Sequence, residues 1–317
     1  NGVVSAPNTI FSNFYKLLPG EHLTINLNHN LNLYEKERYW KLENHVDNKP
    51  FSKEIFFELL DNSVKQRLES DVGLATLLSG GIDSTSISKI QRKLSKDINS
   101  FSISVSNSQY DESYWINLVN KKYNFNKKVI EIKPQIKKQE VLDSIRLFDE
   151  PYSDPSTFPS YKISKAISQN YKVAITGDGG DELLGGYTRI YNVLNRFKIS
   201  SKIVDKLFAL YPPILGSGSN IKRFSNNLFS AYSSYYEDTK FLKILNVNNY
   251  KSILEDKFKT LNGNLYKSLI LFDYKYYLPE MMLLKIDRTF MENSVEARSP
   301  FVDHRLVEYI LSTDYKV

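Results

Sequence analysis

From residue 72 to residue 176, short apolar runs alternate with longer stretches in which apolar side chains return every three or four positions. The runs "VGLATLL" (72–78), "SFSISV" (100–105), "KKVIEI" (127–132) and "YKVAIT" (171–176) have strand length. The stretches between them, about 84–94, about 112–123 and segments of 135–170, have the helical period. Strands this apolar, separated by helices, predict an α/β architecture: a parallel sheet covered on both faces, with right-handed crossovers. Upstream, Ile55, Phe56, Leu59, Leu60, Val64 and Leu68 mark a helix over 51–70 with one buried face. Before it lie a polar linker, 41–52, and a small β element within 8–40, where Leu-Pro-Gly makes a turn and Leu23, Ile25 and Leu27 alternate with other residues. Beyond about residue 187 the strand signal fades and aromatic-rich helical patterns run on.

A length of 317 residues suits one large domain or two unequal ones. The balance of 42 Lys and Arg against 36 Asp and Glu leaves +6, spread along the chain, which is too weak a bias to argue for nucleic acid. With no Cys there is no disulfide, no thiolate metal site and no cysteine nucleophile, so a nucleophile has to be oxygen or nitrogen or come from the substrate. Apolar stretches such as "SLILF" and "LPEMMLL" are far short of the roughly 20 residues of a membrane span. A soluble, cytoplasmic protein is the expectation. Starting at Asn1 and stopping at Val317 just after an apolar helical pattern, the sequence reads as part of something longer.

Two turns carry candidate chemistry, and both fall at the carboxyl ends of predicted strands, where open α/β sheets place their sites. In "SGGIDS" (79–84) the glycines permit positive φ and close approach of a ligand to backbone N–H groups, Ser79 and Ser84 add hydroxyls, and a helix begins at once. Such a turn suits an oxyanion. It is neither a Walker A loop, lacking the Gly-Lys-Ser/Thr ending, nor a dinucleotide fingerprint. A tight strand-to-helix turn with Asp83 as N-cap is the competing reading. In the second turn, "VAITGDGGDELLGGY" (173–187), Asp178, Asp181 and Glu182 sit among five glycines. Several carboxylates so close together call for cations.

"SGGIDS" resembles the pyrophosphate-binding loop, SGGxDS, of the ATP pyrophosphatase superfamily. Within it, "DEPYSDPS" (149–156) followed by "TGDGGDELLGGY" (176–187) resembles the asparagine synthetase family, with its DEP-x-x-DPS and Gly-rich acidic loop. "NSFSISVSNSQYDESYW" (99–115) and "LPEMMLLKIDRTFMENSVEARSPFVDHRLVEY" (278–309) extend the likeness, and residues 8–40 are similar to the end of the glutaminase domain that precedes the synthetase domain in glutamine-dependent members. The resemblance implies a glutaminase remnant over 1–45 and, over 46–317, an adenine nucleotide alpha hydrolase-like synthetase domain with a helical C-terminal part, truncated at its C-terminus. It implies ATP and Mg2+, with Ser79, Gly80, Gly81, Asp83 and Ser84 cradling pyrophosphate. Leu77 and Ile103 would lie by the adenosine, Gly177 and Asp178 at the ATP, and Asp83 and Asp181 at the metal. Asp178 would also face the acceptor amine, and Lys285 or Arg288 would stabilise charge on the acyl adenylate. Arg298 with Glu296 reads equally as a structural pair.

The reaction so implied is the activation of aspartate as an acyl adenylate, release of pyrophosphate, and attack by ammonia to give asparagine and AMP. Ammonia would come from a glutaminase domain that this chain lacks. A family member that amidates or cyclises another carboxylate, in the manner of a β-lactam synthetase, a lasso-peptide cyclase or a polysaccharide amidotransferase, remains the alternative. No nucleic-acid or membrane partner is expected, and a homodimer is the assembly to look for.

Overall fold

The computed structural model describes residues 2–26, 34–105, 111–132, 137–197, 201–212, 216, 218–237, 252, 254, 255, 258, 261 and 264–314. Leu27, the last residue of the predicted alternation, and residues 135–136 of the predicted helical stretch lie outside them. The chain divides into two compact units, one formed by Asn1–Asn44 with Leu184–Glu280, the other by His45–Leu183 with Met281–Val317.

The second unit holds a five-stranded sheet in the order β5-β4-β3-β6-β7. Its strands are β3 (Leu74–Leu77), β4 (Asn99–Ser104), β5 (Asn126–Glu131), β6 (Val173–Ile175) and β7 (Glu296–Arg298). Every pairing is parallel. Helices Ile82–Leu94, Ser113–Tyr123, Lys138–Ile145 and Thr157–Ile167 punctuate the strands. The first four strands answer the predicted runs. β7 corrects the expectation that strands end near residue 187. It comprises only Glu-Ala-Arg, too short and too polar to show a period, and it forms because Glu296 N–H donates to Lys172 O (2.8 Å) and Thr176 N–H to Arg298 O (2.9 Å). At the opposite edge, β5 is largely exposed, and Lys127 and Lys128 blunt its free side.

Alternation along the strands sends side chains to two cores. Ala75, Phe101 and Ala174 pack on one face with Ile167, Ile286 and Phe290, from helices Thr157–Ile167 and Leu284–Met291. Thr76 lies on the other face, its hydroxyl donating to Gln91 Oε1 of helix Ile82–Leu94 (3.0 Å), and Leu78 packs with Val119 of helix Ser113–Tyr123. Helix Lys53–Arg67 is tied to the chain after β7. Ser63 Oγ donates to Pro300 O (2.7 Å), and Arg67 pairs with Asp303 (2.9 Å), which caps helix His304–Ser312.

In the first unit, β1 (Glu21–Ile25) and β2 (Tyr34–Arg38) form an antiparallel pair, with Glu21 opposite Arg38. Its helical part centres on a buried carboxylate. Asp273 accepts from Arg189 Nη2 (2.8 Å), Tyr232 Oη (2.7 Å) and Tyr236 Oη (2.7 Å), and the Arg189 guanidinium lies 3.6 Å over the Tyr187 ring. A buried charge is tolerable only when paired and hydrogen-bonded this fully. From Asp273 to Leu283 the chain runs as a π-helix with Pro279 inside, then returns to α-helix at Leu284. No helix among the described residues is long and apolar enough to cross a membrane.

Phe290 is fully buried between the sheet and its helices. Phe290→Ala is expected to lower the unfolding free energy by about 3–5 kcal/mol, measured by urea denaturation.

Candidate active site

The two glycine-rich turns leave neighbouring strands, β3 ending at Leu77 and β6 at Ile175, with Thr76 paired to Ile175. They come so close that side chains are excluded. A Cβ on Gly177 would stand 3.1 Å from Ser84 N, and one on Gly180 would stand 2.5 Å from Asp83 Cγ. Gly80, at φ 80°, is pressed from outside by helix Ser113–Tyr123, where a Cβ would fall 2.7 Å from Trp115 Cβ.

The serines shape the first turn. Ser79 N–H donates to Ser84 Oγ (3.3 Å), the two hydroxyl oxygens lie 3.0 Å apart, and Gly81 N–H donates to Ser79 Oγ (3.2 Å). The N-cap of helix Ile82–Leu94 is Gly81, and no side chain caps that end. The reading of Asp83 as an N-cap therefore fails: it sits inside the first turn, and the helix N-terminus keeps no side-chain acceptor of its own.

The Asp83 carboxyl lies over Gly180, and its pKa is pushed up from 3.8 to about 6, first by burial and then by the like charge of Asp181. Asp181 is exposed and Glu182 is buried, both on helix Gly180–Leu184. Burial also pushes Asp178 up, while the charge of Lys285 and a hydrogen bond with Thr176 pull the other way. The Ser299 hydroxyl donates to the Asp178 carbonyl, joining this turn to the segment after β7.

The structure separates the two candidate cations. Lys285 is 3% exposed, and its Nζ donates to Ser156 Oγ (2.8 Å) and lies 4.0 Å from Asp154 Oδ2. Arg288, one helical turn on, is exposed and pairs with Asp149 (2.8 Å). Leu77 and Ile103 are half-buried at the ends of β3 and β4, packed on the same core face. Arg298 is bound to Glu296 (2.7 Å) and to the carbonyls of Arg67 (3.1 Å) and Glu69 (2.8 Å), which makes it a strut between β7 and the end of helix Lys53–Arg67. Residue type does not single out Ser156, Asp154, Asp149, Thr176 or Ser299. For the first three the signal is present in "DEPYSDPS", but spacing alone assigns no partner.

No group of three or more His, Cys, Asp or Glu side chains gathers as a metal cage among the described residues. Asp83 over Gly180, within the field of Asp181, nonetheless has the chemistry to hold a magnesium ion that keeps waters and takes its other ligands from phosphates.

Parallel strands ending in hydroxyl-bearing and acidic glycine turns define an α/β protein with a candidate site at the carboxyl ends of its inner strands β3 and β6. A model of the asparagine synthase family matches residues 56–317. The chain is 30% identical to the putative asparagine synthetase [glutamine-hydrolyzing] 2 of Methanocaldococcus jannaschii, over 87% of this chain and 52% of that protein. It is 26% identical to asparagine synthetase [glutamine-hydrolyzing] 1 of Bacillus subtilis, over 95% of this chain and 50% of that protein. The chain belongs to the asparagine synthase family. It spans about half the length of these two relatives. The NH3-dependent NAD synthetase of Campylobacter jejuni superposes with a TM-score of 0.30 and 19% identity over 43% of this chain and 61% of its own, too little to argue from.

A carboxyl whose folded pKa lies above its ordinary value binds its proton more tightly in the folded state, so ionising it costs stability. For Asp83 the cost is absent below about pH 4, grows through the window up to about pH 6 and is complete above it. Asp83→Asn is thus expected to raise the unfolding free energy in EDTA by about 1–3 kcal/mol near neutral pH. The gain should vanish near the acid end of that window, and equal stabilities at neutral pH would contradict the placement of the carboxyl.

Proposed function

We propose that the chain carries out ATP-dependent amide synthesis, with aspartate as the acid activated. The observation that carries this reading is the meeting of two glycine turns, one backbone- and hydroxyl-lined and one acidic, beside a buried lysine.

In this reading the phosphates of ATP lie on the turn from Ser79 to Ser84 and the first turn of helix Ile82–Leu94, whose N–H groups and partial positive charge favour an oxyanion. Leu77 and Ile103 offer the adenine an apolar resting place at the strand ends. An oxygen of the aspartate side-chain carboxylate attacks the α-phosphorus, the bond from that phosphorus to the bridging oxygen breaks, and pyrophosphate leaves with the electron pair. Magnesium, when bound between Asp83 and Asp181, would neutralise charge on the departing phosphates. Ammonia then attacks the acyl carbon, AMP departs with the acyl oxygen's bonding pair, and the nitrogen loses a proton. Asp178, made more basic by burial, is the acceptor this site offers for that proton. Lys285 holds its charge beside Asp178, where the acyl phosphate develops and collapses; Arg288, exposed and paired with Asp149, stands outside that role.

Ammonia is proposed to come from a glutaminase module, of which residues 1–45 would be the end. The names of the relatives, both glutamine-hydrolyzing and each matched over only about half its length, support this. A cytoplasmic location accords with such chemistry.

The test is exchange of labelled pyrophosphate into ATP with a panel of carboxylic acids. Aspartate-dependent exchange is expected; exchange with another acid only would transfer the chain to the amidating or cyclising alternative. Lys285→Met should lower the exchange rate by a factor on the order of 100 or more, and Arg288→Met by less than about 10. The reverse order would assign the role to Arg288.

A further inference from the structure

The ammonium of Lys285 stands 4.0 Å from Asp154 Oδ2, and its short contact toward that acid runs through a serine hydroxyl. Ser156 Oγ accepts from Lys285 Nζ at 2.8 Å, and the same hydroxyl donates to Asp154 Oδ1. Asp154 Oδ1 also accepts the Ser156 N–H at 2.7 Å, and the Asp154 carbonyl accepts the Thr157 N–H at 3.1 Å. The single hydroxyl proton is therefore committed to Asp154. Only lone pairs of Ser156 remain for Lys285, whose ammonium also donates to Met282 Sδ (3.5 Å).

Ser156 occupies the N-cap position of helix Thr157–Ile167, yet its side chain makes no capping bond. Serine at that place ordinarily serves its own helix. Here Asp154 binds the backbone at the helix start and the hydroxyl is turned to the lysine. Nor is the contact an accident of two loose side chains. Helices Thr157–Ile167 and Leu284–Met291 are locked together by Ser164 Oγ donating to Thr289 O (2.7 Å), by Asn293 Nδ2 donating to Ser164 Oγ (2.9 Å), and by Ile163, Ile286 and Phe290 in the shared core. The serine and the lysine are thus carried on one frame, each at the N-terminal end of its helix.

We propose that Ser156, oriented by Asp154, is a positioning residue that fixes the Lys285 ammonium at the acyl-transfer site and keeps it from collapsing into a direct ion pair with Asp154 or Asp178. Its effect on catalysis rests on the synthetase reading above; the positioning itself does not. Without the hydroxyl, a buried ammonium 4.0 Å from one carboxylate and within the field of another has every electrostatic reason to move onto one of them. A displacement of that size misaligns the group that stabilises the reacting centre.

Two readouts on the full chain test this. In lysine side-chain nitrogen–proton correlation spectra, the Lys285 ammonium, identified by the signal lost in Lys285→Arg, is expected to give a slowly exchanging resonance. That resonance should be lost in Ser156→Ala and kept in Ser156→Thr. No such signal in the unaltered chain, or one unmoved in Ser156→Ala, overturns the proposal whatever the enzyme does. In pyrophosphate exchange, Ser156→Ala is expected to lower kcat on the order of 10- to 100-fold while KM for ATP changes less than about threefold, and Ser156→Thr to restore most of kcat. A kcat within about twofold of the unaltered chain, or an equal loss in the threonine variant, overturns its catalytic consequence. If the unaltered chain shows no exchange with any acid, it is the synthetase reading that fails, and the spectra still decide the positioning.

Discussion

The parallel ladder between β3 and β6 delivers two turns to one place, and the chain leaving each strand must pass almost through the space of the other. A Cβ on Gly180 would collide with the Asp83 carboxyl, and one on Gly177 would crowd the Ser84 backbone. This crowding forces the rest of the site. It brings the Asp83 carboxylate against the turn that carries Asp181, concentrates negative charge where burial already disfavours it, and leaves the start of helix Ile82–Leu94 without a capping side chain. Each of these is a local cost to the fold. Conflicts of that kind, gathered where two neighbouring strands end, mark a candidate functional site.

The cationic side of the site is built on a different principle. Lys285 is buried, and a buried charge persists only if its surroundings are fixed as firmly as it is. The segment that carries it supplies the fixing within a short span of chain. Phe290 anchors the helix in the core, Arg298 straps β7 to the carbonyls ending helix Lys53–Arg67, Ser299 holds the Asp178 carbonyl, and Asp303 ties the start of helix His304–Ser312 to Arg67. The edge strand β7 is thus less a structural extra than the joint that sets where Lys285 and Asp178 stand relative to each other.

How much of this is legible in the sequence depends on which signals have a period. The first four strands of the sheet announce themselves as short apolar runs, the helices between them through their period, and the glycine turns through the need for close approach. β7 does not, because three residues with charges at both ends carry no period; it is made by backbone bonds to β6 that only the folded chain provides. The same limit applies to side chains. "SGGIDS" and "TGDGGDELLGG" tell which residue types converge, but not that Asp83 lies over Gly180 or that Gly81 takes the N-cap. "DEPYSDPS" is visible as a motif, yet its division of labour, Asp149 to Arg288 and Asp154 through Ser156 to Lys285, depends on which face of helix Leu284–Met291 meets which loop. Two cations a helical turn apart look alike in a sequence. Burial of one and exposure of the other is a tertiary fact.

The opposite characters of the two sides bear on how such a site would sort its ligands. Around Asp83 the protein offers backbone N–H groups, hydroxyls and a carboxyl whose ionisation is disfavoured by burial and by Asp181. Around Lys285 it offers a buried positive charge that donates to a neutral hydroxyl and lies 4.0 Å from Asp154 Oδ2. In the synthetase reading proposed above, a polyphosphate and a small acid would be drawn to these different surroundings, while Asp178 feels both burial and the charge of Lys285. Charges whose positions are fixed by the fold in this way cost no reorganisation at the moment of reaction.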